Sequence, residues 1–115
     1  MTRGARGVGF IEIEVESKNE AIIVAETFQN ISKQSKINIP FIIMLDNFKP
    51  SEIKNTIQIL NKKSIRNNIT IEASGGINSS NIKEYAKTGV DIISLGYLTH
   101  SVKAVDLSME IELLS

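Results

Sequence analysis

Four short runs rich in β-branched residues punctuate the chain: "FIEIEV" (10–15), "FIIML" (41–45), "ITIEA" (69–73) and "DIISL" (91–95). Between them, apolar residues recur every three to four positions, the spacing of an amphipathic helix. "SKNEAIIVAETFQNI" opens with Ser17 and Glu20 at capping-box spacing and places Ala21, Val24, Ala25, Phe28 and Ile31 on one face. "KPSEIKNTIQIL" has Pro50 near its first turn and Ile53, Ile57 and Leu60 facing inward. "SSNIKEYAKTG" offers Ser79 or Ser80 as a cap, Ile82, Tyr85 and Ala86 as the inward face, and Gly89 as the stop. The order β-α-β-α-β-α-β predicts an α/β fold of parallel strands joined by crossover helices.

An open doubly wound sheet and a (β/α) barrel both satisfy that order. In either fold, ligands gather at the carboxyl ends of the strands. Strands two to four are followed there by small or polar residues: Asp46 and Asn47, then Ser74 to Gly76, then Gly96. A complete barrel takes about 250 residues, whereas this chain has 115 and supplies four βα units at most. The expectation is a partial TIM-like barrel over residues 1–104. The tail behaves differently: Val105, Leu107, Met109, Ile111 and Leu113 alternate with polar residues, which predicts a half-exposed strand over 105–113 that needs a sheet from elsewhere, with a helix as the weaker reading.

Composition narrows the function classes. Thirteen basic residues balance thirteen acidic ones, so the basic footprint of a nucleic-acid binder is absent. The longest apolar runs are too short to span a bilayer, and "MTRGARGVGF" has no apolar core of a secretory signal. With no cysteine and one histidine, His100, thiolate chemistry and paired-histidine metal sites are excluded within this chain. His100 beside Ser101 has no acid partner set by sequence, and a polar loop residue is the simpler reading.

The candidate chemistry sits at the strand ends. "EASGGI" gives up side chains where a strand stops, which makes main-chain N–H groups reachable for a phosphate. A tight βα turn needing glycine torsions gives the same letters. The second glycine-bearing strand end, Gly96, lies one βα unit later and favours the phosphate reading. "GARGVG" lacks dinucleotide-motif spacing and precedes a strand. Asp46 follows five apolar residues and is either a loop cap or a ligand-facing acid. Glu12, Glu14 and Glu16 alternate along the first run, as on a solvated strand face. In a barrel, one of them would point into the site and could share sugar hydroxyls or a magnesium ion with Asp46. Spacing alone does not choose which.

Taken together, "IEIEVES", "IMLDNFKP", "EASGGI", "TGVDIISLG" and "LTHSVKAVDLSMEI" resemble the C-terminal part of the quinolinate phosphoribosyltransferase family, from about residue 10 to the end. The resemblance implies the second half of an incomplete α/β barrel, with residues 105–115 returning to an N-terminal sandwich domain absent from this chain. It implies the magnesium-dependent conversion of quinolinate and phosphoribosyl pyrophosphate to nicotinate mononucleotide, pyrophosphate and carbon dioxide, on the way to NAD. It selects Glu14 and Asp46 as the catalytic, ribose-binding and magnesium-associated acids. It makes Ser74, Gly75, Gly76 and Gly96 the phosphate-binding set. The family's quinolinate-binding Arg, Lys and His residues have no counterpart here, so the chain alone is expected to be inactive. A homodimeric or larger assembly, small-molecule substrates without nucleic acid or membrane, and a cytoplasmic or plastid location are the accompanying expectations. A molybdenum-linked relative of the same fold and a non-catalytic half-barrel that pairs with a partner are the competing readings.

Overall fold

A computed structural model describes residues 2–3, 9–35, 39–95, 101–107 and 109. Its sheet runs in sequence order: β1 (Thr2–Arg3), β2 (Ile11–Val15), β3 (Phe41–Asp46), β4 (Thr70–Ser74), β5 (Ile92–Ser94) and β6 (Ser101–Lys103). The four predicted strands, β2 to β5, are mutually parallel. The two edge strands are antiparallel to their neighbours, and neither carries a signal in the sequence, being two and three residues long. A doubly wound sheet reverses its strand order at a switch point. No reversal occurs here, so the parallel part has barrel-type connectivity.

The connections are α1 (Lys18–Ser35), α2 (Pro50–Lys62), a single 3-10 turn (Arg66–Asn68) and α3 (Ile82–Ala86). The predicted capping pair starts α1: Ser17 Oγ accepts from Glu20 N–H at 3.1 Å, and Glu20 Oε1 accepts from Glu16 N–H at 2.9 Å. Pro50 starts α2, where a missing N–H costs nothing, and Glu52 accepts from Lys49 N–H at 2.9 Å. The cap of α3 is Asn81 rather than Ser79 or Ser80.

Strand alternation divides the sheet into two chemically distinct faces. Ile13, Ile43 and Ile71 lie in one register row, and Val15, Leu45, Ala73 and Ile93 in the next. These rows pack with Ala21, Ala25 and Phe28 of α1 and Ile53, Ile57 and Leu60 of α2 in one core. Ile31, expected on the inward face of α1, is exposed. The opposite face carries Glu12, Glu14, Met44, Asp46, Glu72 and Ser74. Arg66 ties the sheet's lower end together: its guanidinium donates to Ile69 O, Gly89 O and the Asp91 carboxylate, while Asp91 also accepts from Ile71 N–H at 2.8 Å.

Over its described residues the expected terminal strand is not what forms. Residues 104–107 and 109 are helical. Ala104 is buried and Leu107 packs on the core, three positions apart, while Val105 and Met109 are exposed. The reason is local. Residues 101–103 pair with β5 and Ala104 N–H donates to Asp91 O at 2.9 Å, which fixes Ala104 on the core, and a helical turn then brings Leu107 onto the same core. Ile111 and Leu113 lie outside the described residues.

Candidate functional site

Asp46 and Ser74 are the last residues of β3 and β4, and they are register partners. Parallel pairing thus puts a carboxylate and the start of the glycine turn side by side at the carboxyl edge of the sheet. Glu14 pairs with Met44, two residues before Asp46, so Glu14 and Asp46 belong to the same face and the same end of the sheet. Glu14 is exposed and Asp46 half-buried. Glu12 shares that face but sits a further two residues from the edge. Glu72 is in the same row as Met44 and is buried at 6% exposure, a carboxylate on this face that the strand pattern did not single out.

The two glycines of the turn do different things. Both have positive φ, +90° at Gly75 and +70° at Gly76, where a side chain is disfavoured. A Cβ on Gly75 would come within 2.4 Å of Asn47 Oδ1, whereas a Cβ on Gly76 would meet nothing within 4 Å. Gly75 is therefore small to admit Asn47, whereas Gly76 is exposed with open space around it. Asn47 N–H donates to Ser74 O at 2.8 Å, joining the loop after β3 to the loop after β4. From the other side, Asn81 Nδ2 donates to Gly76 O at 2.9 Å and its Oδ1 accepts from Asn78 N–H at 2.8 Å. These asparagines escape sequence reasoning because their partners are 27 or 5 residues away, although asparagine next to a strand end or glycine turn is a weak signal for local side-chain bonding. Gly96 and His100 lie outside the described residues.

Tyr85 supports the site from beneath. Its buried hydroxyl donates to Phe48 O at 2.7 Å, fixing the loop that carries Asp46 and Asn47 onto α3. Burial, with the nearby Glu52 and Glu84 carboxylates, raises the Tyr85 pKa. The folded state therefore favours the neutral phenol. Its stabilisation is complete below the ordinary tyrosine value of about 10 and is lost as pH rises above it. Tyr85→Phe leaves the buried Phe48 carbonyl short of a donor and is expected to cost about 1–3 kcal/mol. Urea unfolding at pH 8 and at pH 10.5 checks both statements: the variant should be less stable at pH 8 and should lose less stability than the parent between the two.

An apolar cavity of about 310 Å³ lies elsewhere, between α1 and β2, lined by Ile11, Ile13, Ile23, Phe28 and Phe41. It opens on the helix-covered side and has no carboxylate or glycine turn in its wall, so it is separate from the strand-end site. Among the described residues no three His, Cys, Asp or Glu side chains gather closely enough to hold a metal by themselves. No described helix is long and apolar enough to cross a membrane.

Comparison with known proteins agrees with this architecture. Residues 3–110 match the family model for "Quinolinate phosphoribosyl transferase, C-terminal domain". Over 101 residues the chain is 43% identical to the "Probable nicotinate-nucleotide pyrophosphorylase [carboxylating]" of Methanothermobacter thermautotrophicus, covering 88% of this chain and 32% of that protein. Over 114 residues it is 39% identical to the "Nicotinate-nucleotide pyrophosphorylase [carboxylating]" of Dictyostelium discoideum, covering 96% of this chain and 34% of that protein. A shorter match of 72 residues to the Methanocaldococcus jannaschii protein, named as in Methanothermobacter, reaches 56% identity over 61% of this chain and 25% of that one. The matched part of the chain thus spans about a quarter to a third of the length of these relatives. With its parallel, sequentially ordered βα units and a family match over almost all its length, the chain belongs to the quinolinate phosphoribosyl transferase C-terminal domain family.

Proposed function

We propose that this chain supplies the phosphoribosyl side of a quinolinate phosphoribosyltransferase site. The carrying observation is the pairing of Asp46 with Ser74 at the strand ends, directly before a positive-φ turn whose Gly76 faces open space. Main-chain N–H groups of that turn would donate to the 5-phosphate, and the carboxylates of Asp46 and Glu14 would accept from ribose hydroxyls. Binding both ends of the sugar phosphate orients the anomeric carbon, and fixed negative charge nearby favours the positive charge that develops there as pyrophosphate leaves. In the complete reaction the pyridine nitrogen bonds to that carbon and the C–O bond to pyrophosphate breaks. The adjacent ring carboxylate departs as carbon dioxide, and the ring carbon takes up a proton.

Two hard oxygen donors on one face suit a magnesium ion that takes its remaining ligands from water and the substrate pyrophosphate, the usual arrangement for that ion. Asp46 and Glu14 would hold it, and it would neutralise charge on the leaving pyrophosphate.

The reading is tested by titrating the 115-residue chain with magnesium phosphoribosyl pyrophosphate and following amide NMR signals. Shifts are expected at Asp46, Gly75 and Gly76, with no response to quinolinate and no nicotinate mononucleotide formed. Asp46→Asn should weaken the binding at least tenfold, on the order of the loss of one charge-assisted contact, without moving the unfolding midpoint. Unperturbed turn amides would sink the proposal, and turnover by the chain alone would refute the division of the pocket.

A further inference from the structure

The glycine turn and the acidic strand end are joined by one residue that the family reading leaves without a role. Asn47 follows Asp46 directly and has φ +62°, a left-handed conformation that asparagine tolerates better than other side chains but still at a cost. Such a torsion persists only where the surroundings impose it. Here they do so on both sides: Asp46 is held by strand pairing with Ser74, and Phe48 is buried with its carbonyl bonded to Tyr85. The outcome is a two-point contact across the strand ends. The Asn47 main chain donates to Ser74 O at 2.8 Å. Its side-chain amide lies across Gly75, with Oδ1 and Cγ at 2.4 and 3.0 Å from where a Cβ would stand.

We propose that Asn47 is a positioning residue that holds the Ser74–Gly76 turn at a fixed distance from Asp46, so that a ligand's phosphate and its sugar hydroxyls are met at once. The proposal rests on the sugar-phosphate reading for its ligand, but the contact itself can be tested without one. The Asn47 N–H makes the last β3–β4 ladder bond, its αL torsion then turns the chain out of the sheet, and the missing side chain at Gly75 lets the side-chain amide settle over the turn. Two groups that bind the two ends of one ligand gain from fixed separation, because the second contact becomes intramolecular.

Asn47→Gly keeps the torsion accessible and removes only the side chain. Hydrogen exchange at the position-47 main-chain amide, which is bonded to Ser74 O at 2.8 Å, is expected to accelerate at least tenfold beyond the change in intrinsic rate, with α2 amides unchanged. Asn47→Asp, nearly isosteric and equally tolerant of αL, should exchange like the parent. In binding, Asn47→Gly should lower affinity for ribose 5-phosphate at least tenfold while leaving that for inorganic phosphate within about threefold, since only the two-ended ligand needs the spacing. A purely structural role would slow or speed both amide groups alike and weaken both ligands in parallel, and that result overturns the proposal. So does unchanged exchange at the position-47 amide. If the parent binds neither ligand, the sugar-phosphate reading fails, and the exchange comparison still decides the contact. Should Asn47→Gly fail to fold, Asn47→Ser, too short to reach across Gly75, makes the same comparison.

Discussion

Gly75→Ala should destabilise the chain by about 2 kcal/mol or more and remove phosphoribosyl pyrophosphate binding, whereas Gly76→Ala should cost about 1 kcal/mol. Both substitutions put a side chain at positive φ, so the torsional cost is common to the two. The difference comes from the neighbour. At Gly75 the new methyl would lie 2.4 Å from Asn47 Oδ1 and 3.0 Å from the Asn47 main-chain nitrogen, while at Gly76 it would meet nothing within 4 Å. Swinging the Asn47 amide away relieves the first clash only. The nitrogen cannot follow, because it is bonded to Ser74 O at 2.8 Å. The turn must therefore move, and with it the donors proposed for phosphate. Urea unfolding of the two variants side by side is the measurement, and equal losses would mean that Asn47 does not approach Gly75.

Ile71→Ala is expected to cost about 3 kcal/mol, within the range for a large-to-small change in a closed core. Ile71 is 1% exposed and lies mid-sheet on β4, level with Ile43 of β3. Its main chain is held on both sides by Asp91, whose N–H donates to Ile71 O at 2.9 Å and whose carboxylate accepts the Ile71 N–H. The backbone is thus not free to collapse into the space left by the side chain, and the cavity persists. Against a typical total of about 5–15 kcal/mol for a domain, this is a large share, and the urea midpoint should fall accordingly with an unchanged slope. Ile23→Ala on α1, where Ile23 is 61% exposed, should stay within about 0.5 kcal/mol.

The sequence was most legible where one residue type does one local job. β-Branched runs marked β2 to β5, Ser17 and Glu20 marked the start of α1, and Pro50 that of α2, because strand packing, capping and a fixed proline φ each act within a few residues. Legibility failed at residues 104–107, where a period of two coincided with apolar residues whose partners are set by a sheet edge. Periodicity describes a segment's own surface and carries no information about which core is near enough to receive it, here the one that takes Ala104 and Leu107. At the site, Asp46 and the glycine pair stood out, while Asn47 as a bridge, Asn81 as a clamp and Tyr85 as a support did not. Each acts on a group that pairing or packing brings to it, such as Ser74 O or Phe48 O.

By itself, then, the amino-acid sequence determined a parallel α/β chain with small and acidic residues at its strand ends, since these follow from side-chain period, branching and backbone freedom. Only the tertiary structure decided that Asp46 lies level with Ser74, that Glu14 shares their face, and that Gly75 is small on account of Asn47 while Gly76 is open. Strand register sets those relations, and register is fixed by the joint burial of rows such as Ile13, Ile43 and Ile71 across three strands, a condition no single strand can express.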